Sequence, residues 1–187
     1  APYAGFREGI NLIVGVQNIV DRPFYLPRIA AESLTTVAPN ETTVVNNTTL
    51  GIKLVVPPNT ARAEDGSLFN GKLSISDVPE NLAPAALPAE LNPSILFTIQ
   101  PVGVTFDQPI PLTFPNSENL PPGSETDIWS LDPELGAFVI VGKGKVSLDG
   151  KSITTIEGGV RAADWHLTLP PQPDPDDNDN NDNQDPD

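Results

Sequence analysis

The last fourteen residues of the chain, 174–187, carry a dense set of hard oxygen ligands. Eleven of the fourteen are Asp or Asn, and none is Lys or Arg. Oxygen-bearing side chains counted from the first of them fall at positions 1, 3, 5, 9 and 12, which are Asp174, Asp176, Asn178, Asp182 and Asp185. Ligands at alternate positions of a tight loop converge on one cation, and Ca²⁺ accepts the flexible, high-coordination shell that such a loop offers. The spacing therefore predicts a calcium loop.

This spacing resembles the D-x-D-x-D-G-x-x-D-x-x-D loops of thrombospondin type 3 repeats and is close to that of an EF-hand loop. It departs from both at position 6, where Asp179 replaces the turn-forming glycine. Without a cation, the seven carboxylates would repel one another and keep the segment extended. Residues 171–187 are therefore predicted as a separate Pro-, Asp- and Asn-rich tail, either a calcium loop or an acidic spacer.

The only histidine, His166, stands in a His-Leu-Thr triplet. The triplet resembles the cleavage site of autoproteolytic β-sandwich domains of adhesion receptors, which cut inside His-Leu-Ser/Thr. The resemblance implies that His166 acts as a general base on Thr168, whose hydroxyl attacks the carbonyl of Leu167 to give an ester that water opens. A strained turn must hold that geometry. In the simpler alternative, Trp165 and Leu167 point inward from a last strand while His166 and Thr168 face outward.

The charge balance excludes several classes of partner. The chain of 187 residues has a net charge of −15, which repels the phosphates of nucleic acids and the headgroups of anionic membranes. The longest apolar run, INLIVGV, is far too short to span a bilayer. We therefore expect neither nucleic acid binding nor membrane insertion. Cysteine is absent, which excludes disulfides and thiolate metal sites.

Apart from the triplet, no set of residues typical of an enzyme stands out. The sequence contains no pattern of a Ser-His-Asp set, of a phosphate-binding glycine loop or of a histidine clustered with carboxylates. We therefore expect a protein without enzymatic turnover. Trp129 and Trp165 are candidates either for the core or for carbohydrate binding on a sheet face.

Residues 51–170 carry the pattern of an antiparallel β-sandwich. About ten short stretches with strand-like alternation recur at a spacing of roughly 8–12 residues, with turn residues between them. The residues predicted to share one face of the first stretch are Ile52, Leu54 and Val56. Asp149 and Gly150 predict a two-residue hairpin turn with positive φ. Residues 31–50, rich in Thr and Asn, are predicted as a linker or a weak, exposed strand.

Residues 1–30 are predicted to form an extended arm with two apolar stretches, 10–16 and 24–29. Its candidate assembly residues are Ile10, Leu12, Val14, Val16, Phe24 and Leu26. Pro23 and Pro27 bracket the second stretch and favour an edge strand or a free arm. Apolar strands without a partner leave backbone groups unpaired. We therefore expect the arm to pair with a sheet edge, either in cis or by strand addition to the next subunit.

Two further stretches, GIKLVVPPNTA and PVGVTFDQPIPLTFPN, resemble the β-sandwich domain of ankyrins and netrin receptors. With the continuation from PPGSETDIW to the Trp-His pair, residues 45–169 look like the version of that domain found in very large secreted or surface proteins of bacteria. There it follows an immunoglobulin-like domain and precedes a Pro- and Asp-rich spacer. The resemblance implies an extracellular or cell-surface location and an arm that is a remnant of, or complement to, the preceding sheet. It also implies a structural role, as a surface-fibre or adhesin-stalk subunit that contacts copies of itself or neighbouring domains of the same protein.

Overall fold

The computed structural model describes residues 3–7, 12–19, 24–83, 93 and 95–169, and these form thirteen β-strands and two short 3-10 turns. The strands are β1 (Thr35–Thr36), β2 (Thr43–Asn47), β3 (Ile52–Val56), β4 (Ala61–Arg62), β5 (Lys72–Asp77), β6 (Leu96–Gln100), β7 (Thr105–Ile110), β8 (Leu112–Pro115), β9 (Glu125–Asp132), β10 (Ala137–Val146), β11 (Ser152–Gly158), β12 (Val160–Ala162) and β13 (Trp165–Leu169). The turns are Ala31–Ser33 and Glu80–Leu82. The predicted all-β fold is confirmed.

Ten strands form one antiparallel sheet in the order β1-β5-β6-β13-β9-β10-β11-β8-β3-β2, and β12, β7 and β4 form a smaller sheet. The large sheet curls so strongly that β2, at one end, contacts β1 and β5 at the other. It is therefore nearly a barrel, and the last strand, β13, lies near its middle. The main apolar core includes Ile52, Leu54, Phe97, Ile99, Phe114 and Ile128.

Residues 31–50 contain strands of the large sheet. β2 pairs with β3 along all five of its residues. Val45 is fully buried while Val44 is 47% exposed, so this Thr- and Val-rich run has the period of two of a half-buried strand. The buried Asn47 is also satisfied, because its side-chain amide donates to Ile75 O at 2.8 Å. The linker prediction is therefore wrong for β2, and the alternative of a strand holds there.

Two local predictions are confirmed in outline. The residues predicted to share one face of β3 do so, and all three are buried: Ile52, Leu54 and Val56. The hairpin between β10 and β11 turns at Gly150, whose φ is 71°. Its loop is longer than the two residues predicted, since the Ser147 N–H donates to Ser152 O at 2.8 Å. Asp149 does not share the positive φ. Its carboxylate instead accepts the Lys151 N–H at 3.1 Å, a hydrogen bond that stabilises the loop.

The edge of β5 is closed by a serine side chain. β1 pairs with β5 only at Leu73 and Lys72. Beyond that point, Ser33 Oγ accepts the Ile75 N–H at 2.9 Å. Its hydroxyl proton has two acceptors within reach, Ile75 O at 2.8 Å and Ala30 O at 2.9 Å. The turn Ala31–Ser33 thus replaces a strand at this edge and satisfies buried backbone groups that would otherwise be unpaired.

Replacing Ser33 by alanine is expected to lower the free energy of unfolding by about 1–3 kcal/mol, because the buried Ile75 N–H loses its acceptor. Urea denaturation followed by tryptophan fluorescence measures the change. Ser117→Ala, at an exposed loop position, is the matched control and is expected to stay within about 0.5 kcal/mol of wild type. Equal stabilities for the two variants would contradict this role of Ser33.

Candidate functional site

A second apolar cluster lies on the outer face of the large sheet, beneath the N-terminal arm. Its buried members are Val78, Leu96, Leu131, Phe138, Trp165 and Leu167. The ring of Phe6 packs edge-on against Trp165 at 5.9 Å, and Phe24 lies 5.3 Å from Phe6. The arm therefore forms the second layer over apolar side chains that would otherwise face water. Trp165 is fully buried and belongs to the core, not to a carbohydrate-binding surface.

Hydrogen bonds fix the arm to this face. Within the arm, the Ala4 N–H donates to Pro27 O at 2.8 Å. The Gly5 N–H donates to Gln100 Oε1 at 2.7 Å, and Gln100 Nε2 donates back to Gly5 O at 3.1 Å. Farther along, the Ala30 N–H donates to Ser76 Oγ at 2.9 Å. Side chains of β5 and β6 thus take the place of a neighbouring strand for the arm backbone.

These contacts correct the expected place of the arm. The arm was predicted to pair with a sheet edge, but within this chain it lies across the sheet face. The physical reason is the outer apolar cluster. Covering this cluster removes apolar surface from water, whereas the edge of β5 is already closed by Ser33 and would be stabilised less by another strand. Pairing with another subunit would involve the remaining part of the arm, which does not contact this face.

That remaining part is an exposed apolar loop, residues 12–19, which we call the arm tip. Its exposed side chains are Leu12, Ile13, Val14, Val16 and Ile19, with Val14 98% and Leu12 73% exposed. The Asn18 side chain closes the loop, since its Oδ1 accepts the Ile13 N–H at 2.9 Å and its Nδ2 donates to Ile13 O at 3.0 Å. The predicted residues Phe24 and Leu26 are about half exposed, and Ile10 lies outside the described residues.

His166 lies in the core and not on the surface. It is 0% exposed, and its ring lies 5.5 Å from that of Phe97. Neither ring nitrogen forms a hydrogen bond of ordinary geometry within the described part of the chain, and the ring has only weaker interactions with the backbone of Ala162 and Trp129. Burial lowers the pKa of His166 from 6.5 to about 4, and the nearby backbone of Ala162 and Trp129 opposes this only in part. The expected outward orientation is wrong, because β13 is a central strand covered on both faces.

The bond between Leu167 and Thr168 lies within a regular strand. Leu167 pairs with Leu96 on one side, and on the other side Leu167 and Thr168 pair with Trp129 and Ile128 of β9. The cleavage chemistry needs a strained turn at this bond, whereas the backbone here is extended and paired. The side chain of Thr168 lies outside the described part of the structure. Nothing in this geometry favours the self-cleavage alternative.

Asp164, just before β13, is a buried carboxyl group that the sequence did not single out. It is 4% exposed, and its Oδ1 accepts the Trp165 N–H at 2.9 Å. Burial raises its pKa from 3.8 to about 7, Asp132 adds to the shift, and the Trp165 hydrogen bond and the charge of Arg7 oppose it. The only sequence signal was its place directly before Trp165.

No protein-family model, curated protein or solved structure matches the chain. The resemblance to the ankyrin-type domain therefore stays an expectation.

The predicted calcium ligands Asp174, Asp176, Asn178, Asp182 and Asp185 all lie outside the described residues. Within the described ranges, no group of three or more His, Asp or Glu side chains is placed to hold a metal ion, and no helix is long and apolar enough to cross a membrane.

Proposed function

We propose that this chain is a non-enzymatic structural module of an extracellular or cell-surface assembly, joined to its neighbours by its N-terminal arm and by calcium. The observation that carries the proposal is the arm tip. It presents five exposed apolar side chains within eight residues, and none of those eight residues is charged. Exposed apolar patches of this kind mark sites of protein–protein contact.

The anchoring of the arm supports the proposal. A loose apolar terminus would collapse onto any available surface, but this arm is held on the sheet face by Phe6 and Gln100 while its tip is closed by Asn18. Pre-organisation of this kind lowers the entropy lost when a partner binds. The tip can then add to a sheet or a groove of another copy, or of a neighbouring domain in a longer protein.

Calcium is the second part of the proposal and rests on the spacing of the tail oxygens. Seven carboxylates within fourteen residues repel one another unless cations neutralise them. Bound calcium would shorten and stiffen the tail, or would bridge it to a neighbour. The extracellular setting rests on the resemblance to bacterial surface proteins and supplies the millimolar calcium that weak oxygen sites of this type need.

Light scattering with electron micrographs of the same samples tests the proposal. Wild-type protein in calcium is expected to form ordered polymers that shrink in chelator. Val14→Asp is expected to weaken association by roughly 10- to 100-fold, since it removes one buried aliphatic side chain from the contact and inserts a charge. Leu148→Asp is the matched control, because Leu148 is also exposed, at 94%, but lies on the β10–β11 loop.

The outcomes separate the two parts. Polymers of unchanged size in chelator would overturn the role of calcium while leaving the arm in place. Equal effects of Val14→Asp and Leu148→Asp would overturn the role of the arm tip. A wild-type chain that stays monomeric with and without calcium would remove the assembly proposal as a whole.

A further inference from the structure

Asn70 and Gly71 form the one Asn-Gly pair in the sequence. They lie in the short segment between the isolated bridge at Leu68 and the first residue of β5. The Asn70 side chain is exposed, and it takes part in no hydrogen bond within the described part of the chain. Among the same residues, the Gly71 N–H has no acceptor. An amide carbon and a nitrogen that can attack it therefore stand on adjacent residues, and neither group is engaged elsewhere.

Packing explains why position 71 is a glycine. A Cβ at Gly71 would lie 2.5 Å from Phe69 Cζ, and the Phe69 ring packs against the main apolar core. Any side chain at this position would have to displace that ring. Because glycine has no side chain, its backbone nitrogen is also the easiest of any residue type to approach. The same packing that requires Gly71 thus makes the preceding asparagine reactive.

No other asparagine combines these conditions. Every other asparagine in the sequence is followed by a residue with a side chain, which hinders attack by the following nitrogen. Asn116 precedes the small Ser117, but its Nδ2 donates to Leu120 O at 2.8 Å and to Gly150 O at 2.9 Å. Asn119 is exposed like Asn70, but Leu120 follows it. Asn119 is therefore a matched comparison within the same molecule.

We propose that Asn70 is a site of spontaneous modification, at which attack by Gly71 converts the side-chain amide into aspartate and isoaspartate. The Gly71 nitrogen loses its proton and bonds to Cγ of Asn70, the Cγ–Nδ2 bond breaks, and ammonia leaves with a proton from water. A second step, in which water opens the resulting succinimide, completes the reaction. Opening at Cγ gives aspartate. Opening at the backbone carbonyl carbon gives isoaspartate, whose main chain runs through Cβ and Cγ.

Isoaspartate at this position would act on the place where the large sheet closes. Before Asn70, the Phe69 N–H donates to Ala61 O at 2.9 Å, and after it, Gly71 O accepts the Val37 N–H at 2.8 Å. The added backbone atom lies between these two fixed points, so it must shift one of them. β1 pairs with β5 at only two positions, whereas Phe69 is held by the core. We therefore expect the Val37 hydrogen bond and the β1 pairing to be lost.

Peptide mapping by mass spectrometry, after the folded protein has been incubated in mildly alkaline buffer, tests the modification. The Asn70 peptide is expected to gain the mass that separates a carboxyl from an amide and to split into an aspartate and an isoaspartate form. Only the isoaspartate form should accept a methyl group from an isoaspartate-specific carboxyl methyltransferase. The Asn119 peptide of the same digest should stay unchanged. Asn70→Gln should block the reaction, because its longer side chain must close a larger ring.

Amide hydrogen exchange followed by NMR tests the structural effect. Val37 is expected to lose protection in incubated wild type but not in incubated Asn70→Gln. Freshly purified Asn70→Asp, which has the new charge without the added backbone atom, should keep it. An Asn70 that stays intact as long as Asn119 does would overturn the proposal. Conversion to isoaspartate with unchanged exchange at Val37 would overturn the effect on β1. Neither result depends on whether the chain assembles.

Discussion

Replacing His166 by leucine should raise the free energy of unfolding at pH 7 by about 1–3 kcal/mol. In the native protein the imidazole is fully buried beside Phe97, and neither of its nitrogens is paired in the described part of the chain. On folding it gives up hydrogen bonds to water and regains only the weaker interactions with the backbone of Ala162 and Trp129. Leucine has a similar volume and no polar atoms, so the core keeps its packing and loses the desolvation penalty.

The same substitution should remove an acid sensitivity. The pKa of His166 is about 4 in the folded protein against an ordinary value of 6.5. Between these values the unfolded chain binds a proton that the folded chain does not, so stability falls as the pH is lowered through this window. The full effect is about 3 kcal/mol, reached near pH 4. Neither leucine nor glutamine titrates there, so both variants lose this contribution.

Urea titrations of wild type, His166→Leu and His166→Gln from pH 4 to pH 8 separate the two effects. Glutamine removes the titration but keeps a buried polar group, so only leucine should also gain stability at pH 7. A His166→Leu variant that is less stable than wild type at pH 7 would contradict this account, because it would show that the ring forms a stabilising hydrogen bond or is needed for packing.

Mass spectrometry of the same samples tests self-cleavage. A break after Leu167 in wild type alone would support the self-cleavage alternative.

Much of the fold was predictable because it is local. The alternation in β3 and the glycine of the β10–β11 loop depend only on period and on backbone freedom. β2 was less predictable because its composition is that of a linker. Asn47 is tolerated inside only because a carbonyl of β5 lies opposite. That contact joins residues 28 positions apart, and no local pattern contains it.

The candidate site was predictable in part for the same reason. The exposed apolar side chains of the arm could be identified from their composition, but the cover they give to Trp165 depends on the sheet order. His166 was placed outside because alternation was applied to β13 as if one face met water. The sheet order puts β13 between β6 and β9, and the arm covers one face while the curled sheet encloses the other. Burial of both faces is a property of the whole topology.

Asp164 should show the opposite pH dependence from His166. Its pKa is about 7 in the folded protein against an ordinary 3.8, so the folded state holds a proton that the unfolded state has lost. Stability therefore falls as the pH rises through this window. Asp164→Asn is expected to raise the free energy of unfolding by about 2–4 kcal/mol at pH 8, where the native carboxylate is charged and buried. It should have little effect near pH 4, where the native group is already neutral.

The two titrations oppose each other and nearly cancel between pH 4 and 6.5. The joint contribution of these two groups to wild-type stability should therefore change little with pH there. Asp164→Asn should expose the rise with pH that His166 causes, His166→Leu should expose the fall that Asp164 causes, and the double variant should lose both slopes. If Asp164→Asn keeps the wild-type profile, the carboxyl does not hold its proton in the folded protein.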